Sequence, residues 1–310
     1  MKILLLAVLL DLVFGEPPNR WHPVAWIGRL ITAGRAFAPR GSTADLALYG
    51  TFLLLVVVSA AVVGTLILQH VIGQLPAPLA LLLEAWLLKC TFSLRGLFGA
   101  VELVRGHLVA GDLEGARLQV ATHLVSRPTG ELDRGEVSSA AIESLAENLT
   151  DSWVAPLCFF LVGGLPAAWA YRAVNTADAM IGYREGELEH LGRATAKVDD
   201  ALNFIPARLA AWALVAGAWL CRQSAAGARR VLARDGRLTA SPNAGQTMAA
   251  MAGAVGVTLE KRGAYRLGDG PKPDVEAIDR AVRANRWASA ICVAATVLVL
   301  VLFQRGPGIR

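Results

Sequence analysis

Charge is scarce in this 310-residue chain: only 18% of its residues are Asp, Glu, Lys or Arg, against about 25% in an ordinary soluble domain. Leu46–Leu68 has none at all and is longer than the roughly 20 residues that cross a hydrocarbon core as a helix. Trp287–Phe303 is also uncharged, at the short end of the spanning range of about 17–25 residues. With 55% hydrophobic residues and a mean hydropathy of +0.47, an ordinary soluble domain is excluded. Cysteine is sparse too. Cys90, Cys158, Cys221 and Cys292 are scattered with no CxxC spacing, which excludes a zinc knuckle or a disulfide framework. No GxxxxGK[ST], strand-borne GxGxxG or GxSxG is present, so a P-loop, a dinucleotide fingerprint and a hydrolase elbow are all missing. The net charge of +5 fits basic residues flanking membrane spans better than nucleic-acid binding, and no nucleic-acid partner is expected.

What remains reads as an all-α, polytopic integral membrane protein of about four to six membrane helices, joined by amphipathic and polar helices. A single helical domain is expected over 1–310, with polar intervals at about 89–152, 172–208 and 222–286. Lys2 and Ile3–Leu10 imitate a signal peptide, but Asp11 interrupts the apolar run and no A-x-A site follows, so a retained short helix is expected. Pro17, Pro18 and Pro23 predict an irregular loop. Val101–Val125 reads as amphipathic helix broken near Gly111, and Leu209–Cys221 as another apolar helix. Trp153–Tyr171 is uncharged but contains Pro156, Gly163, Gly164 and Pro166. It reads either as a span or as a broken, re-entrant element.

Carboxylates and amides collect around that segment. Glu143 and Glu147 share a helix face, with Asn148 beside them and Asp151 one turn on. Asn175/Asp178 and Asp200/Asn203 are i, i+3 pairs, the second preceded by Asp199. Oxygen ligands in such spacings suit Mg²⁺ shared with water and phosphate, and Lys197, Arg193 and Arg208 are placed to meet phosphate. The bland alternatives are a solvated acidic face for the glutamates and helix capping for the Asn/Asp pairs. Ser241-Pro242-Asn243 reads as a helix entry in which Ser241 or Asn243 caps a helix of small residues. Its N-terminus suits an anion, whereas close packing explains the small residues equally well. His22, in a Pro-rich loop, reads more readily as structural than as catalytic.

In order, these motifs resemble the CobD/CbiB family of cobalamin biosynthesis. The resemblance is carried by Asp11-Leu12-x-x-Gly15-Glu16-Pro17-Pro18, His22-Pro23-Val24, Glu143-Ser144-Leu145-Ala146-Glu147-Asn148-x-x-Asp151 and Arg172-Ala173-Val174-Asn175-Thr176-x-Asp178. Asp199-Asp200-x-x-Asn203-x-Ile205-Pro206-Ala207-Arg208 and Ser241-Pro242-Asn243-Ala244-Gly245 complete it. It covers most of the chain. It departs from the family at Pro128, at the bulky Trp153 and in a short segment after Tyr265.

The resemblance implies an adenosylcobinamide-phosphate synthase: an ATP-dependent acid–amine ligase joining adenosylcobyric acid to (R)-1-aminopropan-2-yl phosphate or a related phospho-amine. ATP and Mg²⁺ are the implied cofactors, a corrinoid the substrate, and membrane lipids and other corrinoid-pathway enzymes the candidate partners. A multi-pass position in the cell (inner) membrane is implied. Motif position and chemistry make Glu143, Glu147, Asp151, Asp178 and Asp200 candidate catalytic residues. His22, Asn148, Arg172, Asn175, Lys197, Asn203, Arg208, Ser241 and Asn243 are candidate substrate contacts, and Glu147, Asp199 and Asp200 candidate Mg²⁺ ligands. Two other readings stay open: a Mg²⁺-dependent membrane transferase acting on a diphosphate, and a corrinoid transporter or scaffold.

Overall fold

The computed structural model describes residues 1–183 and 186–305. Its elements run α1 (Lys2–Phe14), α2 (Pro23–Ala36), α3 (Thr43–Ile72), α4 (Ala77–Lys89), α5 (Leu94–Val109), α6 (Leu113–His123) and α7 (Arg134–Leu149). A π-helical turn (Thr150–Val154) leads into α8 (Ala155–Ile181), then α9 (Leu188–Leu191), α10 (Arg193–Leu202), α11 (Phe204–Leu220), α12 (Ala225–Asp235) and α13 (Ala244–Val255). A short antiparallel hairpin, β1 (Leu259–Lys261) with β2 (Tyr265–Leu267), pairs Leu259 with Leu267 and precedes α14 (Val275–Arg305). The fold is all-α apart from that hairpin. Among the described residues three helical stretches, in Thr43–Ile72, Arg134–Ile181 and Val275–Phe303, are long and apolar enough to cross a membrane. The number is five if the bent pairs α4/α5 and α10/α11 each count as one span.

The helices begin and end where local chemistry dictates. Ser42 and Asp45 form a reciprocal capping box at the start of α3, and Asp133 with Glu136 does the same for α7, each satisfying amide donors that the first turn leaves free. The break predicted near Gly111 is real: Gly111 takes φ +77° and Asp112 then caps α6 by accepting from the Gly115 N–H at 2.8 Å. Within α8 the helix is interrupted at Gly163 and Gly164. Gly164 sits at φ 65°, ψ −153°, a region essentially closed to residues with a Cβ.

The chain divides into two compact units. The first holds Met1–Ser93, Ala155–Leu202 and the residues from Thr296. There α2, α3 and α8 bury Ile31, Leu53, Leu54, Val57, Val174 and Ile181 together. Gly50 of α3 is indispensable to this packing, since a Cβ there would fall 1.8 Å from the Leu191 carbonyl oxygen. The second unit holds Leu94–Val154 and Asn203–Ala295. Its α12 and α13 approach so closely that a Cβ on Gly253 would lie 2.3 Å from the Gly227 carbonyl oxygen. The small residues of α13 thus serve close packing.

Candidate functional site

In the first unit four ionisable side chains converge beneath the loop after α1. Asp11, on α1, and Lys89, at the end of α4, are both fully buried. The Lys89 ammonium donates to Glu16 Oε1 at 2.8 Å and lies 3.6 Å from Asp11 Oδ1. Charges are placed in such surroundings only when paired. His22 is the N-cap of α2: its Nδ1 accepts the Val24 N–H at 3.1 Å. The proton of the ring therefore sits on Nε2, which donates to the second oxygen of Glu16. The structural role expected of His22 is real, and the same ring also fixes a carboxylate.

Glu16, His22, Asn19, Cys90, Phe92 and Arg172 line a cleft of about 350 Å³. Arg172, on α8, donates from Nη1 to Asn175 Oδ1 at 3.1 Å, while its buried Nε has no hydrogen-bond partner among the described residues. Burial alone would raise the pKa of Glu16, but the hydrogen bonds from His22 and Lys89 outweigh it and hold the carboxyl at about 2 instead of 4.5. The cleft thus carries a carboxylate that stays ionised and a guanidinium.

That depressed value has a direct consequence for stability. An unfolded chain takes up a proton on Glu16 near pH 4.5 and the folded one near 2. The contribution is therefore complete above about pH 4.5 and is lost as the pH falls toward 2. In thermal unfolding between pH 6 and pH 2.5, the wild type should lose Tm more steeply than Glu16→Gln. Parallel profiles for the two proteins would show that the Glu16 network contributes nothing.

Elsewhere in this unit, Asn175 and Asp178 follow Arg172 along α8, and the Asp178 carboxylate packs so tightly over Gly182 that a Cβ there would lie 2.0 Å from its Oδ1. Lys197, Asp199 and Asp200 lie on α10, Lys197 exposed and the two aspartates half-buried. Neighbouring residues on a helix do not face one another, so Asp199 and Asp200 point along different directions. Among the described residues no group of three or more His, Cys, Asp or Glu side chains is arranged to hold a metal ion. Each of Glu147, Asp199 and Asp200 offers a single carboxylate, and Mg²⁺ bound by one or two carboxylates takes its remaining ligands from water and phosphate.

The second unit gathers the other carboxylates. Glu143 is buried, which rules out the solvated-face alternative for it. It accepts from Ser139 Oγ at 2.6 Å, from the Tyr265 hydroxyl at 2.8 Å and from Arg127 Nη2 at 3.4 Å. Ser139 also accepts the Glu260 N–H at 3.0 Å and Arg262 at the hairpin turn pairs with Glu136, so the hairpin is tied to α7 at three points. Burial, with the Glu143 and Glu147 carboxylates close by, pushes the Tyr265 phenol well above its ordinary range; it remains a proton donor. Asn148, half-buried beside Glu147, accepts from Ser152 Oγ at 2.8 Å. Asp151 falls within the π turn, so it does not continue the α-helical face of Glu143 and Glu147 as the spacing predicted. Wider π winding of this kind recurs at functional sites.

Also in this unit, Arg208, Ser241 and Asn243 come together. Arg208 Nη1 donates to Asn243 Oδ1 at 2.9 Å and to the Phe204 carbonyl at 2.7 Å, and Ser241 Oγ accepts the Asn243 N–H at 3.2 Å. Asn203 and Asn243 both occupy N-cap positions, yet neither makes a side-chain cap. This corrects the capping expectation, because Arg208 takes the Asn243 oxygen and Thr239 Oγ instead accepts the Gly245 N–H at 3.0 Å. Sequence reasoning missed Asp11, Glu16, Lys89, Arg127, Ser139 and Tyr265 as site residues, although Asp11 and Glu16 stand in a motif that carries the family resemblance. For the others, a lysine closing an apolar helix was the one available signal, since intramembrane charges are seldom placed without a partner.

A helical membrane-protein scaffold whose ionisable groups are buried in hydrogen-bonded clusters is the class that fold and site define. Residues 4–294 match the family model described as CobD/Cbib protein, and the chain belongs to the CobD/CbiB family. It is 41% identical over 273 residues to the Cobalamin biosynthesis protein CobD of Dehalococcoides mccartyi, covering 88% of each chain. It is 42% identical over 269 residues to the Probable cobalamin biosynthesis protein CobD of Methanothermobacter thermautotrophicus, covering 87% of each. With the Cobalamin biosynthesis protein CobD of Geobacter metallireducens it shares 40% identity over 292 residues, 93% of this chain and 90% of the relative. No solved structure matches.

Proposed function

We propose that this protein acts in cobalamin biosynthesis in the cell (inner) membrane as an ATP-dependent amide ligase. It would join adenosylcobyric acid to (R)-1-aminopropan-2-yl phosphate, or a related phospho-amine, to give adenosylcobinamide phosphate. Family membership supports the pathway, and the observation that carries the chemistry is the cleft bearing Glu16 and Arg172. A phospho-amine is an ammonium at one end and a phosphate at the other. The ionised Glu16 attracts the first through the lone pairs that Lys89 and His22 leave open, and the Arg172 guanidinium, which lines the same cleft, meets the second. At about 350 Å³ the cleft lies at the small end of the usual ligand-pocket range of about 300–1,000 Å³. It suits the amine and not a corrin ring.

A carboxylate does not acylate an amine at neutral pH without activation. Its oxygen attacks the γ-phosphorus of ATP, ADP leaves, and the amine nitrogen then attacks the acyl carbon as inorganic phosphate departs with one acyl oxygen. The amine must lose its proton before attack. Glu147, or one of Asp199 and Asp200, would hold Mg²⁺, which would neutralise phosphate charge. Arg208 and Lys197 offer further cationic contacts to phosphate.

The test is reconstitution in nanodiscs with adenosylcobyric acid, each candidate amine, ATP and Mg²⁺, followed by mass-spectrometric identification of the product. Adenosylcobinamide phosphate with stoichiometric ADP is the expected outcome. Pyrophosphate release without amide formation would turn the reading toward a diphosphate transferase. Corrinoid binding by folded protein with no product would turn it toward a transporter or scaffold.

A further inference from the structure

The basic run after α11 takes no part in that reaction. On α12, Ala226, Arg229, Arg230 and Ala233 recur at i, i+3, i+4 and i+7 and so share one face. With Trp212 of α11, Leu232, Arg237 and Gln246, this face encloses a cleft of about 770 Å³. Two alanines and three arginines are among its lining residues.

Those guanidinium groups are unspent. Among the described residues neither Arg229 nor Arg237 has a carboxylate within ion-pair distance, and Arg230 reaches Asp269 only at 4.0 Å. Arg234, on the same helix, is the contrast: Asp235 and Asp269 each hold it at 2.6 Å, and Asp235 is fixed in turn by the Gly268 N–H at 2.8 Å. Arg237 also lies close enough to Arg208 for their charges to repel. Uncompensated like charges held around a cavity favour an anion within it.

Apart from Gln246, the remaining walls are apolar. Trp212 belongs to α11, which leaves Leu209, Trp212 and Trp219 exposed and which, with α10, is apolar enough to be counted as a bent span. An exposed apolar strip beside arginines and tryptophan is the chemistry of a membrane interface. We propose that the cleft binds an anionic phospholipid, with the headgroup phosphate among Arg229, Arg230 and Arg237 and the acyl chains along the exposed strip of α11. A soluble phosphate ester would account for the arginines and leave the apolar strip without an occupant. The inference does not depend on the ligase reading.

Native mass spectrometry of the full-length protein, exposed to equal amounts of phosphatidylglycerol and phosphatidylcholine, tests it directly. Retention of phosphatidylglycerol should exceed that of phosphatidylcholine about tenfold. The double substitution Arg229→Gln with Arg237→Gln should weaken phosphatidylglycerol binding by about thirtyfold, given the usual contribution of each surface arginine. Arg222→Gln, outside the cleft, should leave it unchanged. A wild-type measurement avoids any folding defect in the double variant. Phosphatidylglycerol brominated in its acyl chains should quench tryptophan emission more than brominated phosphatidylcholine, and the difference should shrink in Trp212→Phe. Equal retention of the two lipids, undiminished binding by the double variant, or equal quenching would overturn the proposal. So would displacement of the bound lipid by millimolar inorganic phosphate or ATP, which would mark the cleft as a site for soluble phosphate esters.

Discussion

Lys89→Met should destabilise the protein by about 3–5 kcal/mol, the usual cost of leaving a buried charge without its partner. Lys89 is fully buried and stands between Asp11 at 3.6 Å and Glu16 at 2.8 Å. Methionine matches the lysine stem in volume, so the packing of α1 against α4 is preserved and the charge alone is removed. Two carboxylates then face one another without a cation, Asp11 in a site shut off from solvent. Thermal unfolding in detergent should register the loss as a large fall in Tm. Adding Asp11→Asn to Lys89→Met should restore part of it, because the most deeply buried charge then disappears too. A single variant as stable as the wild type would sink the claim that this cluster holds α1 to α4. So would a double variant whose loss is the sum of the two singles, since side chains that share an interaction are not additive.

The second large effect is catalytic and rests on the ligase reading. Arg172→Gln should lower kcat/KM for the phospho-amine by roughly 10–100-fold, the worth of one charge-assisted hydrogen bond. Glutamine keeps a donor toward Asn175, so the loss reports the missing charge. The discriminating control is the unphosphorylated amino alcohol, which lacks the group that Arg172 is proposed to hold. Its already low kcat/KM should change less than threefold. Equal losses for both amines would show that Arg172 supports the fold of the cleft and not the phosphate.

Much of the fold is legible in the sequence because it follows from short-range rules. Leu46–Leu68 lies inside α3, and the break near Gly111 separates α5 from α6. The pair Gly163-Gly164 interrupts α8, as glycines do where no Cβ is tolerated. The candidate site was legible only in part. Arg208, Ser241 and Asn243 lie in motifs 33 to 35 positions apart and do meet. By contrast, Tyr265 reaches Glu143 across 122 positions and Lys89 reaches Glu16 across 73. No periodicity encodes such pairings; they exist only once tertiary packing is in place. The capping expectation for Asn243 failed for the same reason. Its oxygen has two possible partners, a local amide and a distant guanidinium, and sequence spacing reveals only the first.

The 73-position separation of Glu16 and Lys89 also bears on how the protein is made. With 13 residues, α1 is shorter than the roughly 20 needed to cross hydrocarbon, and it carries a carboxylate that hydrocarbon disfavours. During synthesis it emerges well before the lysine that neutralises it. It is therefore unsuited to enter the bilayer on its own and gains a favourable position there only when α4 arrives. The pairing that holds the mature cleft in place thus also fixes an order of assembly, in which the first helix of the chain is not the first to be settled.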